Sequence, residues 1–246
     1  MHRFYVNEEQ IIDNKFIITG SDVNHIKNVL RMKPGDKIVI CNGQGKDCYC
    51  IIKRVCDLAI EGEVTSVIDS DTELPVKITL FQGIPKTDKM ELIIQKAVEL
   101  GVHEVVPVMM ARCVVKYSDS KKEEKKIIRW QSISESAAKQ SRRGIIPKIH
   151  PILSYKDAIA HAGKMNMSLL AFENERGMQA TKEVLNRLKN CYTTGIFIGP
   201  EGGYESSEVE FARNNKIISV SLGRRILRTE TAGIALLSMM MLYIEK

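Results

Sequence analysis

Six cysteines are spread over the 246 residues, at positions 41, 48, 50, 56, 113 and 191, with no Cys-x-x-Cys pair among them. No Cys/His spacing of the kind that holds zinc is present either, so no metal is expected. Reduced structural thiols, and with them a reducing cytosol, are the expectation. Long hydrophobic runs are missing too. The longest, Ala232 to Ile244, has 13 residues, against roughly 20 for a helix that crosses a bilayer; it predicts a buried helix and no membrane contact. No signal peptide precedes the first apolar residues, and the chain lacks internal repeats and low-complexity tracts. Two nucleotide-binding patterns are also absent: no lysine-serine or lysine-threonine follows the glycines at 199–203, and no Gly-x-Gly-x-x-Gly follows the first strand of the α/β region.

What is present is ordinary for a globular chain: 44% hydrophobic and 27% charged residues. The net charge is +6, and its distribution says more than its size. From Lys116 to Lys148 the chain carries ten basic residues, Arg129, Lys139, Arg142 and Arg143 among them, and four acidic ones from Asp119 to Glu135. That one stretch therefore holds the whole excess. Clustered positive charge suits a phosphate-bearing partner; a Lys/Glu run such as 121–126 equally suits a solvated helix face.

Residues 1 to about 70 read as short strands with turn punctuation at Lys33-Pro34-Gly35-Asp36 and Asn42-Gly43-Gln44-Gly45. Strands are predicted at 37–40 and 49–52 and a short helix at 22–32, and a small β-barrel is the natural closure. The linker is expected at Asp71-Thr72-Glu73-Leu74-Pro75. Beyond it strands and helices alternate, which predicts an α/β domain over 75–246. Its strands are expected at 76–83, 104–109, 168–172, 195–199 and 217–222. A helix after the first strand has apolar residues at 90, 93, 94, 97 and 98, with Asp88 and Glu91 as a candidate capping pair and Gly101 as its end.

Two loops in the last fifth of the chain carry the functional signal. Gly199-Pro200-Glu201-Gly202-Gly203 and the stretch from Ser221 to Ala232 each follow an apolar β-branched run and precede a helix. In an open α/β sheet that junction, at the carboxyl end of a strand, is where ligands bind, and glycine there admits close backbone approach. Taken alone, the first loop also describes a tight turn with a solvated glutamate, and Thr229, Glu230 and Thr231 also suit helix capping.

The pair at this spacing resembles the RsmE family of RNA methyltransferases, of the knotted SPOUT class. The resemblance extends along the chain through Met1-His2-Arg3-Phe4-Tyr5-Val6, His25-Ile26, Val29-Leu30-Arg31, Gly35-Asp36, the 95–102 block Gln-Lys-Ala-Val-Glu-Leu-Gly-Val, and Gln140-Ser141 with Arg143. One departure stands out: Lys139 and Arg142 occupy positions where family members often carry an acidic residue and a glycine. The resemblance implies a trefoil-knotted parallel-sheet α/β domain behind a small PUA-like, RNA-binding β-barrel at 1–70, a homodimer, and methylation of N3 of a uridine in 16S ribosomal RNA of the small subunit, with S-adenosylmethionine as cofactor. By that resemblance the cofactor contacts fall on Leu170, Phe172, Glu173, Gly199, Pro200, Gly202, Gly203, Ser221, Leu222, Gly223, Ile226, Leu227 and Thr231. Arg3, Arg31, Arg142 and Arg143 are the expected RNA contacts.

Uridine N3 is a weakly acidic imide that must lose its proton before its lone pair can attack a methyl group. A fixed cation lowers that cost. Arg228 is the candidate, since guanidinium stays charged and aims several donors in a fork. Glu201 and Glu230 are the nearest candidates for accepting the proton or for fixing that arginine; both also suit a structural role holding loop amides, the reading favoured for Glu230, and water is a further acceptor. Two other readings remain open at this point: a non-catalytic RNA-binding assembly factor, and a knotted methyltransferase acting on another RNA position.

Overall fold

The computed structural model describes residues 1–86, 88–115, 120–173, 175 and 177–245, with Ser120 described by its backbone alone. Lys116 and Asp119 of the basic stretch lie outside the described residues. The described residues divide into two compact units: Met1–Glu73 with Ala138–Ile146, and Leu74–Ala137 with Pro147–Lys246.

Among the described residues, the first unit is a six-stranded sheet. Its strands are β1 (His2–Tyr5), β2 (Ile11–Ile12), β3 (Lys15–Thr19), β4 (Lys37–Cys41), β5 (Lys46–Val55) and β6 (Ala59–Asp69). They run in the order β1-β4-β5-β6-β3-β2, antiparallel apart from β1 with β4. Alternation along the strands puts Phe4, Phe16, Ile18, Ile38, Ile40 and Ile52 on one buried face. Cys48 and Cys50, two apart on β5, point to that same face, and the described cysteines are all free thiols. The helix expected at 22–32 is shorter: α1 (Ser21–Asn24) passes into a wide π-type turn, His25–Val29, closed by Leu30 N–H on the His25 carbonyl. The widened turn keeps both Val23 and Ile26 in the core.

The segment 138–146 joins this unit through named bonds. Tyr5 Oη donates to the Ala138 carbonyl at 3.1 Å, and Gly45 N–H donates to the Gly144 carbonyl at 2.8 Å. Gly144 is required there, because a Cβ would fall 2.3 Å from Ser70 Cβ.

The second unit is a parallel sheet. Its elements in chain order are β7 (Lys77–Gly83), α2 (Lys89–Glu99), β8 (Glu104–Met109), α3 (Ser120–Gln140, whose last residues belong to the first unit), β9 (Lys148–Ile149), β10 (Leu153–Ser154), α4 (Tyr155–Ala162), β11 (Met167–Ala171), α5 (Met178–Arg187), β12 (Thr193–Ile198), α6 (Ser206–Asn214), β13 (Ile218–Val220) and α7 (Thr229–Ile244). The strand order is β10-β8-β7-β12-β11-β13, with β9 beside β8. Every pairing is parallel, so the loops that leave β7, β11, β12 and β13 all emerge at one edge.

β7 and β12 lie at the centre, where Phe81 stacks on Phe197 with ring centroids 4.5 Å apart. Helix α2 buries Met90, Ile93, Ile94, Ala97 and Val98, the five periodic positions, and Gly101 follows it at φ +86°. The capping pair does not form: among the described residues Asp88 makes no side-chain capping bond, and Glu91 pairs instead with Arg129 at 2.7 Å. An accessible guanidinium outcompetes a local amide for that carboxylate. No described helix is long and apolar enough to cross a membrane.

Candidate active site

Two buried threonines hold the two glycine-containing loops. The first loop leaves β12, turns through Gly203 N–H on the Pro200 carbonyl at 2.9 Å, and places Gly203 at φ +67°. A Cβ on Gly203 would meet only the movable Glu173 carboxylate, so it is the positive φ, which L side chains rarely adopt, that favours glycine there. The second loop leaves β13 and runs without regular structure from Ser221 to Arg228. Thr181, on α5, donates to the Ser221 carbonyl at 3.0 Å and accepts from its N–H at 3.1 Å. At the other end Thr229 Oγ1 donates to the Gly199 carbonyl at 2.7 Å and accepts from Gln82 Nε2, on β7, at 2.9 Å.

The stapled loops enclose a cleft of about 480 Å³, within the usual range for a small-molecule site. Gly199, Pro200, Glu201, Gly202, Gly203, Ile226, Leu227 and Arg228 line it, together with Glu173. A narrower recess of about 70 Å³ continues from it beneath Phe172, Leu222 and Gly223. Ser221 and Gly223 border a further cleft that also reaches Glu173. Most of the expected cofactor contacts are thus brought together. Two are not. Leu170 is fully buried in the sheet core, and its neighbour Ala171 reaches the cleft instead. Thr231 points to solvent from the first turn of α7, and Ala232 takes its place. The side-chain direction of a strand end and of a helix start decides both cases. Ile226 is 87% exposed, a large apolar side chain held over the cleft with nothing covering it among the described residues.

Charge is arranged unevenly around this cleft. Burial alone would raise the Glu201 pKa. Hydrogen bonds from its own N–H, from Lys89 and from the Lys86 N–H overcome that and hold the carboxyl below its ordinary value. Lys89 and the Lys86 N–H thereby anchor Glu201 on its loop, and they favour its carboxylate form. Arg228 is exposed at the N-terminus of α7, and its guanidinium makes no hydrogen bond or ion pair among the described residues. Lys89, Gln82 and Thr229 were not legible as site residues. Lys89 and Gln82 lie far upstream in helix and strand patterns, and Thr229 has the local appearance of a cap.

The arginines expected at an RNA surface separate into two pairs. Arg143 is 3% exposed, its guanidinium engaged by Glu73, whose carboxylate also accepts from Gly144 N–H at 2.9 Å and Ile145 N–H at 3.1 Å. Arg3 is paired with Asp47 at 2.6 Å and donates to the Arg142 carbonyl. Both are drawn inward, where carboxylates and carbonyls offset the cost of burying a guanidinium. Arg31 and Arg142 are exposed, at φ +53° and +59°.

Comparison with known proteins follows the same lines. Residues 72–241 match the RNA methyltransferase domain family and residues 18–58 the RNA methyltransferase PUA domain family. The chain is 36% identical over 244 residues to ribosomal RNA small subunit methyltransferase E of Bacillus subtilis (strain 168), covering 97% of this chain and 95% of the relative. It is 38% identical over 238 residues to the protein of the same name from Mesomycoplasma hyopneumoniae (strain 232), covering 97% and 98%. Among solved structures, ribosomal RNA small subunit methyltransferase E from Neisseria gonorrhoeae, bound to S-adenosyl methionine, is similar with a TM-score of 0.82 at 32% identity, covering 98% of this chain and 97% of that one. In sequence and in fold, along nearly its whole length, the chain belongs to the ribosomal RNA small subunit methyltransferase E (RsmE) family.

Proposed function

We propose that this protein methylates N3 of a uridine in 16S ribosomal RNA of the small subunit, with S-adenosylmethionine as methyl donor. The observation that carries the reading is the Thr229–Gly199 bond, which joins both loops around one cleft with Arg228, unpaired among the described residues, at its rim. The cleft suits the donor in its chemistry: bare glycine backbone at 199, 202 and 203, apolar flanks from Phe172, Leu222, Ile226 and Leu227, and a carboxylate at Glu173 that suits hydroxyl or ammonium groups. S-adenosylmethionine, when bound, supplies an electrophilic methyl group on a sulfonium.

The protein's own residues supply the rest. The loop backbone and flanking apolar side chains hold the ligand and exclude water. Arg228, with its donors free, stabilises negative charge that spreads onto O2 and O4 of a uracil losing its N3 proton. Glu201 fixes the first loop. Water is the proton acceptor this arrangement leaves. Arg31 and Arg142, exposed on the first unit, are the phosphate contacts we assign.

The same reading includes a homodimer, supported by α7. That helix is apolar around its circumference, and its outward Leu242 is 82% exposed, a pattern typical of a helix buried on all sides. It also includes the knotted threading of the C-terminal segment, on the resemblance to the SPOUT class, and action in the cytoplasm on ribosomal subunits. The test is transfer of labelled methyl from S-adenosylmethionine to small subunits that lack the modification, followed by nucleoside analysis. Appearance of 3-methyluridine supports the reading. A different methylated nucleoside moves the target, and absence of both transfer and donor binding leaves an RNA-binding assembly factor.

A further inference from the structure

Lys89, the first residue of α2, stands between two acidic side chains that come from different parts of the chain. Its Nζ lies 3.1 Å from Glu201 Oε1 and 3.5 Å from Glu230 Oε2. The three side chains are 30%, 25% and 15% exposed, so the cluster is screened by solvent only in part. Glu201 has a second anchor, since the Lys86 N–H reaches both of its oxygens at 3.2 Å. Glu230 does not. Its Oε2 is buried and, among the described residues, without a hydrogen bond, leaving the Lys89 charge to balance it. Hydrogen bonding to Glu201 raises the Lys89 pKa, which keeps the ammonium charged.

Two residues before Glu230 stands Arg228, exposed and unpaired among the described residues. A guanidinium is a better carboxylate partner than an ammonium, because its fork of donors matches two oxygens at once. With Lys89 absent, the buried Oε2 of Glu230 would lose its cation, and Arg228, two residues away in sequence and on the same cleft as Lys89 and Glu201, is a cation without a partner among the described residues. Pairing would occupy its donors and cancel its charge.

We propose that Lys89 is a positioning residue for methyl transfer: by holding Glu201 and Glu230 it keeps both carboxylates off Arg228 and leaves that guanidinium free for the substrate. The inference rests on the role given to Arg228 above. It assigns Lys89 no contact with reacting atoms; because Lys89 also lines the cleft, donor affinity is measured beside the rate.

The test uses the full-length protein with unmodified small subunits under single-turnover conditions, with calorimetric titration of S-adenosylmethionine and a thermal melt for each variant. Lys89→Gln is expected to lose at least tenfold in the methylation rate, with donor Kd within threefold of the parent. Lys89→Arg is expected to keep most of the rate. The deciding variant is Lys89→Gln combined with Glu230→Gln, which should recover at least fivefold over Lys89→Gln alone, because the competing carboxylate is gone. A merely structural lysine predicts a further loss on adding the second substitution, and that result overturns the proposal. Parental activity in Lys89→Gln overturns it as well. If Lys89→Gln and Lys89→Met both fail to fold, Lys89 serves stability and the proposal fails. Arg228→Ala separates the two readings: near-parental turnover there removes the role of Arg228, whatever the lysine variants do.

Discussion

Thr229 Oγ1 donates a hydrogen bond of 2.7 Å to the carbonyl oxygen of Gly199. The first residue of the last helix is thereby fastened to the first residue of the loop after β12. Gln82 completes the junction from the neighbouring strand, its amide donating to the same hydroxyl while its own oxygen is left without a hydrogen bond among the described residues. Three segments distant in sequence meet at one hydroxyl group.

Thr229→Val keeps the shape and removes the hydroxyl. It removes the donor to the Gly199 carbonyl and one of the two acceptors of the Gln82 amide, which keeps its bond to the Gly83 carbonyl; leaving such buried groups unsatisfied costs about 1–3 kcal/mol. Denaturant unfolding should show that loss, and titration with S-adenosylmethionine should show weaker binding because the loops are no longer held together. Thr229→Ser restores the hydroxyl and should restore both. A valine variant with parental donor affinity would show that the staple does not shape the cleft.

Arg228→Ala should leave donor affinity within a few-fold and reduce methylation by about a hundredfold or more, the scale of one lost transition-state donor. Single-turnover rates at saturating donor measure it. The guanidinium has no internal partner to lose among the described residues, so stability should be unchanged.

Arg142 sits at φ +59°, where an L-residue pays roughly 1–2 kcal/mol and glycine does not. Arg142→Gly should therefore stabilise the protein, by up to about 1 kcal/mol after the greater freedom of glycine in the unfolded chain is counted. It should also weaken binding to small subunits and make the salt dependence shallower by about one charge. An unchanged salt slope would remove Arg142 from the RNA surface.

Arg143 calls for the opposite outcome. Glu73→Gln takes the paired carboxylate from its buried guanidinium, and breaking such a pair costs about 3–5 kcal/mol. Unfolding measurements should show a loss of that size, while the salt slope for RNA binding in the remaining folded protein stays as in the parent.

Glu104 provides a pH test away from the cleft. A hydrogen bond from His150 at 2.7 Å, against the raising effect of burial and with help from Thr79, lowers its pKa from 4.5 to about 2. A depressed folded pKa means stability that is full above the unfolded value, near 4.5, and lost as pH falls toward about 2. The contribution is at most roughly 3 kcal/mol. Stability measured from pH 6 down to pH 2.5 should fall more steeply in the parent than in Glu104→Gln, and parallel curves would contradict the assignment.

Much of this architecture was legible in the sequence because it is local. The five apolar positions of α2 recur at helical spacing and are the five that are buried. The strand at Glu104–Met109 carries its signal in a run of β-branched residues. The glycines at 199, 202 and 203 mark a ligand loop because bare backbone is a property of the residue itself. Roles that depend on a partner elsewhere in the chain were not legible. An arginine reads the same whether it faces solvent, as Arg142 does, or is buried on Glu73, as Arg143 is. The partners of Glu201, Lys89 and the Lys86 N–H, come from a segment over a hundred residues away and leave no mark in the local sequence.

The sequence by itself determined the central strands of the α/β unit, the helix after its first strand, where the glycine loops fall, and what chemistry Arg228, Glu201 and Lys89 have to offer, since periodicity, backbone freedom and side-chain charge belong to the residues. Only the tertiary structure decided which of those charges are neutralised and which are left free. Coulombic pairing and desolvation depend on distance in space, and the parallel sheet brings Lys89, Glu201 and Glu230 to one edge while leaving Arg228 without a partner among the described residues.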